Sequence, residues 1–220
     1  MPTAFADSTD NKPIRDCAVT SQVGETCMLR IETIRPTQFA VGYRAIQIEE
    51  HDLSKMSPKD LEKEIKDKPA PLVIAPGGAF YIYDRHHFAV SLLGVGVHEM
   101  RAEVHANWLR MAPQEFFPAM EHNNWVWLYD ENGRPASAGE LPPTLMKLSD
   151  DPYRSLSDAV QDEKGFEKSD VPFAAFFWAN FFRDRIPLGH GEADFERAIS
   201  QATALAQTKA ARGLPGYKGP

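Results

Sequence analysis

The sequence predicts an α+β protein, with a small mixed-sheet core followed by a helical C-terminal extension. Three observations carry this. Short apolar runs bounded by Pro and Gly alternate with helical segments in the first two thirds of the chain. Between Met100 and Trp108 apolar and polar residues alternate strictly. From about residue 140 the pattern becomes helical. The expected organisation is a flexible or loosely tied arm over 1–26, a core over 27–139, a helical extension packed on it over 140–213, and a frayed tail over 214–220.

The elements follow in order. Residues 1–26 are polar and lack periodicity. Cys27-Met28-Leu29-Arg30-Ile31 reads as a first strand. Ile34-Arg35-Pro36-Thr37-Gln38 leaves it as extended or turn structure, because Pro36 disfavours helix before it. Ser57-Pro58 starts a helix through Ile65, with a Ser cap and Pro in the first turn. Pro71–Ala75 and Ala79–Tyr83 read as a hairpin closed by Pro76-Gly77-Gly78. Phe88–Leu93 reads as a short buried helix ended near Gly94, with Asp84 as its N-cap.

Met100, Ala102, Val104, Ala106 and Trp108 mark a half-buried strand whose polar face carries Arg101, Glu103 and His105. That face is either solvated surface or a pocket wall opposite the Asp84 turn. Pro113–Met120 suggests a helix, and Trp125–Tyr129 a strand running into the turn Asp130–Gly133. Asp151-Pro152 and Asp170-Val171-Pro172 each start a helix. The second carries Phe173, Phe176, Phe177, Asn180 and Phe181, a stripe read as core. Glu192–Arg212 forms an Ala-rich helix ended by Gly213.

The bulk numbers exclude several classes. With 220 residues and 43% hydrophobic content the chain can bury a sizeable core. A net charge of −7 and a pI near 5.5 argue against avid binding along a nucleic-acid backbone. No apolar run reaches the roughly 18 residues that span a bilayer. Cys17 and Cys27 are either two free thiols or a disulfide, and a disulfide implies an oxidising compartment. Ala4-Phe5-Ala6 resembles a signal-cleavage site, so localisation stays open between cytoplasm and export.

The stretch Asp84-Arg85-His86-His87 stands out as chemistry. Cations in a first helical turn oppose the helix dipole unless an anion is present, which makes this an anion-site candidate. Arg154 and Ser155, in the first turn of a later helix, repeat the logic; Lys168 and Arg183 are weaker candidates for the same pocket. His86 and His87 point about 100° apart, so one can face a pocket while the other packs. His122 and His190 fall in loops without metal-ligand spacing. No HExxH, Walker, dinucleotide or nucleophile–His pattern is present, so no protein metal centre is expected.

These residues resemble a known family. Leu29 with Ile34–Gly42, then Pro71–Ile74 and Tyr81–Ala89, are similar to the ParB-like nuclease family of the ParB/sulfiredoxin superfamily. Asp151–Leu156 and Phe176–Arg183 resemble its C-terminal pattern, so the likeness spans roughly 27–186. The resemblance implies a small α/β fold whose hairpin-to-helix turn meets nucleotide phosphates. The corresponding turn carries G-x-R-R in ParB proteins, where it grips CTP or nucleic acid. It carries G-C-H-R in sulfiredoxin, where it meets ATP, and it binds ADP in archaeal free-serine kinases. The sulfiredoxin cysteine is missing here, so sulfinic acid repair is not expected. The helix-turn-helix domain of partition proteins is not visible either.

The resulting expectation is phosphoryl chemistry, as a nuclease or a phosphotransferase. Arg85, His86, His87, Gln38, Arg154, Ser155 and Lys168 would hold phosphate, with Glu49 as base, Asp84 as cap or Mg²⁺ ligand, and His87 in the catalytic set. The expected ligands are Mg²⁺ and ATP, ADP or CTP, or a phosphorylated small molecule. The alternative is a non-catalytic nucleotide-binding or protein-interaction module, exported from the cell.

Overall fold

In the computed structural model, which describes residues 14–189 and 191–219, the elements run as β1 (Thr26–Arg30), β2 (Ile34–Arg35), β3 (Ala40–Val41), α1 (Tyr43–Ser54), α2 (Pro58–Asp67), β4 (Ala70–Ile74), β5 (Phe80–Ile82), α3 (His86–Gly94), β6 (Glu99–Asn107), α4 (Pro113–His122), β7 (Ser149–Asp150), α5 (Pro152–Asp162), α6 (Ala174–Arg183) and α7 (Glu192–Ala206). Ala4-Phe5-Ala6 and His190 lie outside the described residues. The chain divides into two units. One takes in the described residues up to Phe39, with Ile46–Tyr129 and Pro135–Leu148; the other takes in Ala40–Ala45, Asp130–Arg134 and the described residues from Ser149 onward. The boundary expected at 139/140 therefore falls inside the first unit.

The first unit is built on a five-stranded sheet of order β1-β6-β4-β5-β2. β6 pairs antiparallel with β1 and parallel with β4; β5 pairs antiparallel with β4 and parallel with β2. The β4–β5 hairpin turns through Pro76-Gly77-Gly78, where both glycines adopt positive φ, 80° and 83°. The β4–β6 register slips by one residue: Leu72 faces Val104 but Val73 faces Ala106, so His105 is the extra residue of a bulge. Val73, Tyr81 and Ala106 pack with Phe116 and Met120 of α4 in one apolar cluster, while α2 and α3 lie against β6. Ser57 caps α2 as expected, accepting the Asp60 N–H at 3.2 Å.

The structure departs from the sequence reading in three places within this unit. Residues 14–25, expected as a loose arm, are held in place: Cys17 and Cys27 form a disulfide, Asp16 bridges Met28, and Gly24 and Glu25 exchange backbone bonds with Val104. Trp125–Tyr129 forms no strand: its rings stack on aromatic neighbours and its backbone makes scattered bonds such as Trp127 N–H to Thr37 O at 2.8 Å. α1 was not foreseen; Ile46 and Leu53 anchor it, while Ile48 is 58% exposed.

The second unit is helical around Leu156, Val160, Phe166, Trp178, Phe182 and Ala202. A short parallel pair, β3 with β7, opens it. The Trp178 ring stacks on Phe166 at 4.1 Å, and its indole N–H donates to Pro215 O at 2.7 Å. α6 starts at Ala174 rather than at Asp170, because Phe173 sits in the left-handed region. Of the expected aromatic stripe, Phe176 and Phe181 are buried but Phe177 is 40% exposed; Trp178 and Phe182 form the deeper contacts. α7 stops at Ala206, and a 3-10 turn over Lys209–Ala211 follows it.

The tail after Gly213 is docked rather than frayed. Glu167 N–H donates to Gly216 O at 2.8 Å, and a Cβ at Gly216 would lie 1.9 Å from Glu167 O. Only glycine fits there. Among the described residues no helix is long and apolar enough to cross a membrane.

Candidate functional site

The hairpin-to-helix turn forms where expected, but its cap differs. Arg85, not Asp84, occupies the N-cap of α3, in the left-handed conformation (φ 68°, ψ 19°) and with no side-chain cap. One oxygen of the Asp84 carboxylate turns back one residue early, accepting the Arg85 N–H at 2.7 Å. An L-residue held left-handed costs roughly 1–2 kcal/mol, and such positions gather at functional sites. The arrangement brings a guanidinium to the N-terminus of a nine-residue helix, the end that favours anions.

The two histidines divide their tasks. His86 is buried, and its Nε2 accepts the Thr37 N–H at 3.2 Å, while Thr37 Oγ1 donates to Ile82 O at 3.0 Å. An acceptor Nε2 requires the neutral ring with its proton on Nδ1. His86 therefore locks the segment after β2 to the helix start, a task different from the cationic phosphate contact expected of it. His87 is half-buried in the same first turn. Gln38, beside Thr37 in sequence, is also buried.

Glu49 lies on α1, and its carboxylate faces the middle of α3. Oε2 accepts from Ser91 Oγ at 3.0 Å, and Lys68 Nζ lies 3.7 Å from Oε1. Ser91 sits four residues beyond His87, about 6 Å along the helix axis. These bonds tie the helices together.

Arg154, Ser155 and Lys168 belong to the second unit. Arg154 ion-pairs with Asp158 one turn along α5 and lies over the Phe176 ring at 5.5 Å. Ser155 is buried; its Oγ accepts the Ala45 N–H at 3.4 Å, and a Cβ on Gly42 would come within 2.4 Å of that oxygen. Lys168 is exposed between α5 and α6. Arg183 is engaged by Asp151 at 2.7 Å.

The sequence reading missed a group beside the turn. The Tyr83 hydroxyl lies 2.6 Å from His105 Nδ1. Its ring stacks on Trp125 at 4.7 Å and 5°, and Trp125 in turn stacks on Trp108 at 5.5 Å. Burial, and then the negative charges of Asp84 and Glu103, push the Tyr83 hydroxyl up to about 12. It therefore stays protonated at neutral pH and shares a hydrogen bond with the imidazole. The bulge at His105 aims this side chain across β4 toward Tyr83, and no residue pattern announces a bulge. Among the described residues, no group of three His, Cys, Asp or Glu side chains gathers to hold a metal ion.

A mixed sheet whose hairpin runs into a helix through a charged turn, followed by a helical segment, defines a ParB-like fold. The family described as "Putative ParB-like nuclease" matches residues 27–184. The chain belongs to that family. It is also similar to the crystal structure of protein Atu1540 from Agrobacterium tumefaciens, with a TM-score of 0.80 and 30% identity over 89% of this chain and 99% of that one. No curated protein matches the chain.

Proposed function

We propose that the Asp84–His87 turn binds a phosphate of a nucleotide or phosphorylated small molecule, and that the protein acts on it by phosphoryl chemistry, phosphodiester hydrolysis or phosphoryl transfer. The observation that carries this reading is Arg85, held left-handed at the mouth of α3 with no side-chain cap. Family membership supports it. Arg85 and the helix N-terminus would hold phosphate oxygens and stabilise the charge that grows on them in the transition state. His87, in the same turn, is the candidate proton carrier. Asp84, the carboxylate of the turn, fits a Mg²⁺ ion that takes its other ligands from nucleotide phosphates and water. Gln38 would line the wall behind the turn.

A second reading, binding without chemistry, draws on Glu49. Its carboxylate is occupied by Ser91 and Lys68, which suits a structural brace better than a general base.

Thermal unfolding with ATP, ADP or CTP plus Mg²⁺ tests the site. Ligand at about a hundred times its Kd adds about 2.7 kcal/mol, an expected rise of about 5–10 °C for a chain of this size. Arg85→Gly separates binding from folding. Glycine accepts the left-handed conformation freely, so the variant should melt no lower than wild type. Its nucleotide-induced rise should fall with the loss of a charge-assisted contact worth about 1.5–3 kcal/mol. His87→Ala should weaken the rise as well. No rise with any nucleotide in wild type removes the reading. Plasmid nicking and phosphate release from ATP then separate hydrolysis, transfer and plain binding.

A further inference from the structure

The three rings beside the turn are unlike the aromatic groups of the apolar cores. Trp178, Phe182 and Phe116 are buried in apolar clusters. Tyr83, Trp125 and Trp108 stack in a ladder, and all three are only half-buried. The buried Trp178 indole has its acceptor at Pro215 O. Among the described residues the indole N–H groups of Trp108 and Trp125 have none, and they are not sealed from solvent. Half-buried indoles with spare donors suit a contact that is apolar on its face and polar at its rim. His105 adds an exposed imidazole at the Tyr83 end, its Nδ1 taken by the tyrosine and its Nε2 3.9 Å from Glu103 Oε1.

The charges around the ladder select among occupants. Asp84 and Glu103 lie close enough to Tyr83 to disfavour a phenolate. They would equally repel a phosphate laid on the rings. A neutral, flat group with acceptor atoms at its edge has no such penalty. Tyr83 precedes Arg85 by two residues, at most about 7 Å of chain.

We propose that the Tyr83–Trp125–Trp108 ladder, edged by His105, is the seat of a nucleobase, so that the ligand of the neighbouring turn is a nucleotide rather than a simple phosphate ester. This rests on the phosphate reading of the turn. Arg85 and the start of α3 take the phosphates; the ladder takes the base, with the indole N–H groups and His105 Nε2 offered to its edge. Stacking tolerates every base, so the ladder itself imposes no strong base preference.

The test is a titration of the full chain, in Mg²⁺, with ATP, CTP, adenosine, cytidine and inorganic tripolyphosphate. It is followed by tryptophan emission and by calorimetry. ATP and CTP should quench the emission and bind about ten- to a hundredfold tighter than tripolyphosphate, the range that stacking of one base supplies. Trp125→Leu keeps apolar bulk but removes the flat ring; it should erase that advantage and leave tripolyphosphate affinity unchanged. Trp108→Leu serves the same purpose if the first variant does not fold. Equal affinity of wild type for nucleotides and tripolyphosphate overturns the ladder and leaves the turn standing. Nucleoside binding without tripolyphosphate binding overturns the turn and keeps the base seat. Binding of none of the five overturns both.

Discussion

Asp151→Ala is expected to destabilise the protein by about 3–5 kcal/mol at pH 7, and Asp151→Asn by clearly less. Asp151 is the N-cap of α5: its Oδ1 accepts the Tyr153 N–H at 2.9 Å, and its Oδ2 accepts from Arg183 Nη2 at 2.7 Å. Its side chain is 1% exposed and that of Arg183 is 18% exposed. Arg183 also donates to Glu131 O at 3.1 Å and lies over the Tyr153 ring. Alanine removes both acceptors, leaves a largely buried guanidinium without its partner, and opens a void. Asparagine keeps the shape and one acceptor oxygen.

The acidity of Asp151 explains why the neutral isostere should cost less than alanine. Burial pushes its carboxyl above the ordinary value of 3.8, and Arg183 with the N–H groups of Tyr153 and Arg154 pulls it back only in part. A carboxyl that holds its proton more tightly folded than unfolded contributes most below the ordinary aspartate value. That contribution is lost as the pH rises through the folded value. The lead of wild type over Asp151→Asn should therefore shrink between about pH 3.5 and pH 7. Urea midpoints of the three proteins at both pH values check this. An asparagine variant as weak as alanine at pH 7, with a gap that widens as pH rises, would show that the charge itself holds the joint.

Reduction of Cys17–Cys27, or replacing both cysteines with serine, should cost about 2–3 kcal/mol. The bond closes a loop with a sequence separation of 10, and chain entropy sets that scale. The loss should be local first. Asp16 bridges the edge strand β1 at Met28, while Asn107 holds Val19 O and Ser21 O through its side chain at 3.0 and 2.9 Å. Trypsin should cut after Arg15 faster in the reduced protein, well before global unfolding. Equal cutting in both redox states would mean that the backbone and Asn107 bonds hold the strap alone.

The legible parts of this fold are those written in local chemistry. Pro76-Gly77-Gly78 dictated a hairpin turn, Ser57-Pro58 a helix start, and Asp151-Pro152 another. The illegible parts depend on partners distant in sequence. α1 shows two well-buried apolar residues, Ile46 and Leu53, against an exposed Ile48, so its periodicity is faint. Trp125–Tyr129 looks like a strand because aromatic residues favour sheets, yet its rings found Tyr83 and Trp108 instead of a ladder of backbone bonds.

At the candidate site, the clash of cations with a helix start located the turn. The left-handed Arg85 and the acceptor role of His86 were not visible, because both are set by tertiary neighbours: Asp84 turning to the Arg85 N–H, and Thr37 reaching the imidazole. The bulge that carries His105 toward Tyr83 is likewise a register event between β4 and β6, with no mark in either strand alone.

The second unit carries a consequence for synthesis of the chain. The Tyr43 N–H donates to Asp150 Oδ1 at 2.8 Å across a separation of 107 residues, and Ala40–Val41 forms its parallel pair with Ser149–Asp150. A ribosome adding about 5–20 residues per second makes the first of these partners on the order of 5–20 s before the second. Through that interval residues 40–45 have emerged but cannot complete their fold. Nascent chains stalled before Ser149 should leave this segment open to protease, and those released after the α5 cap has formed should protect it.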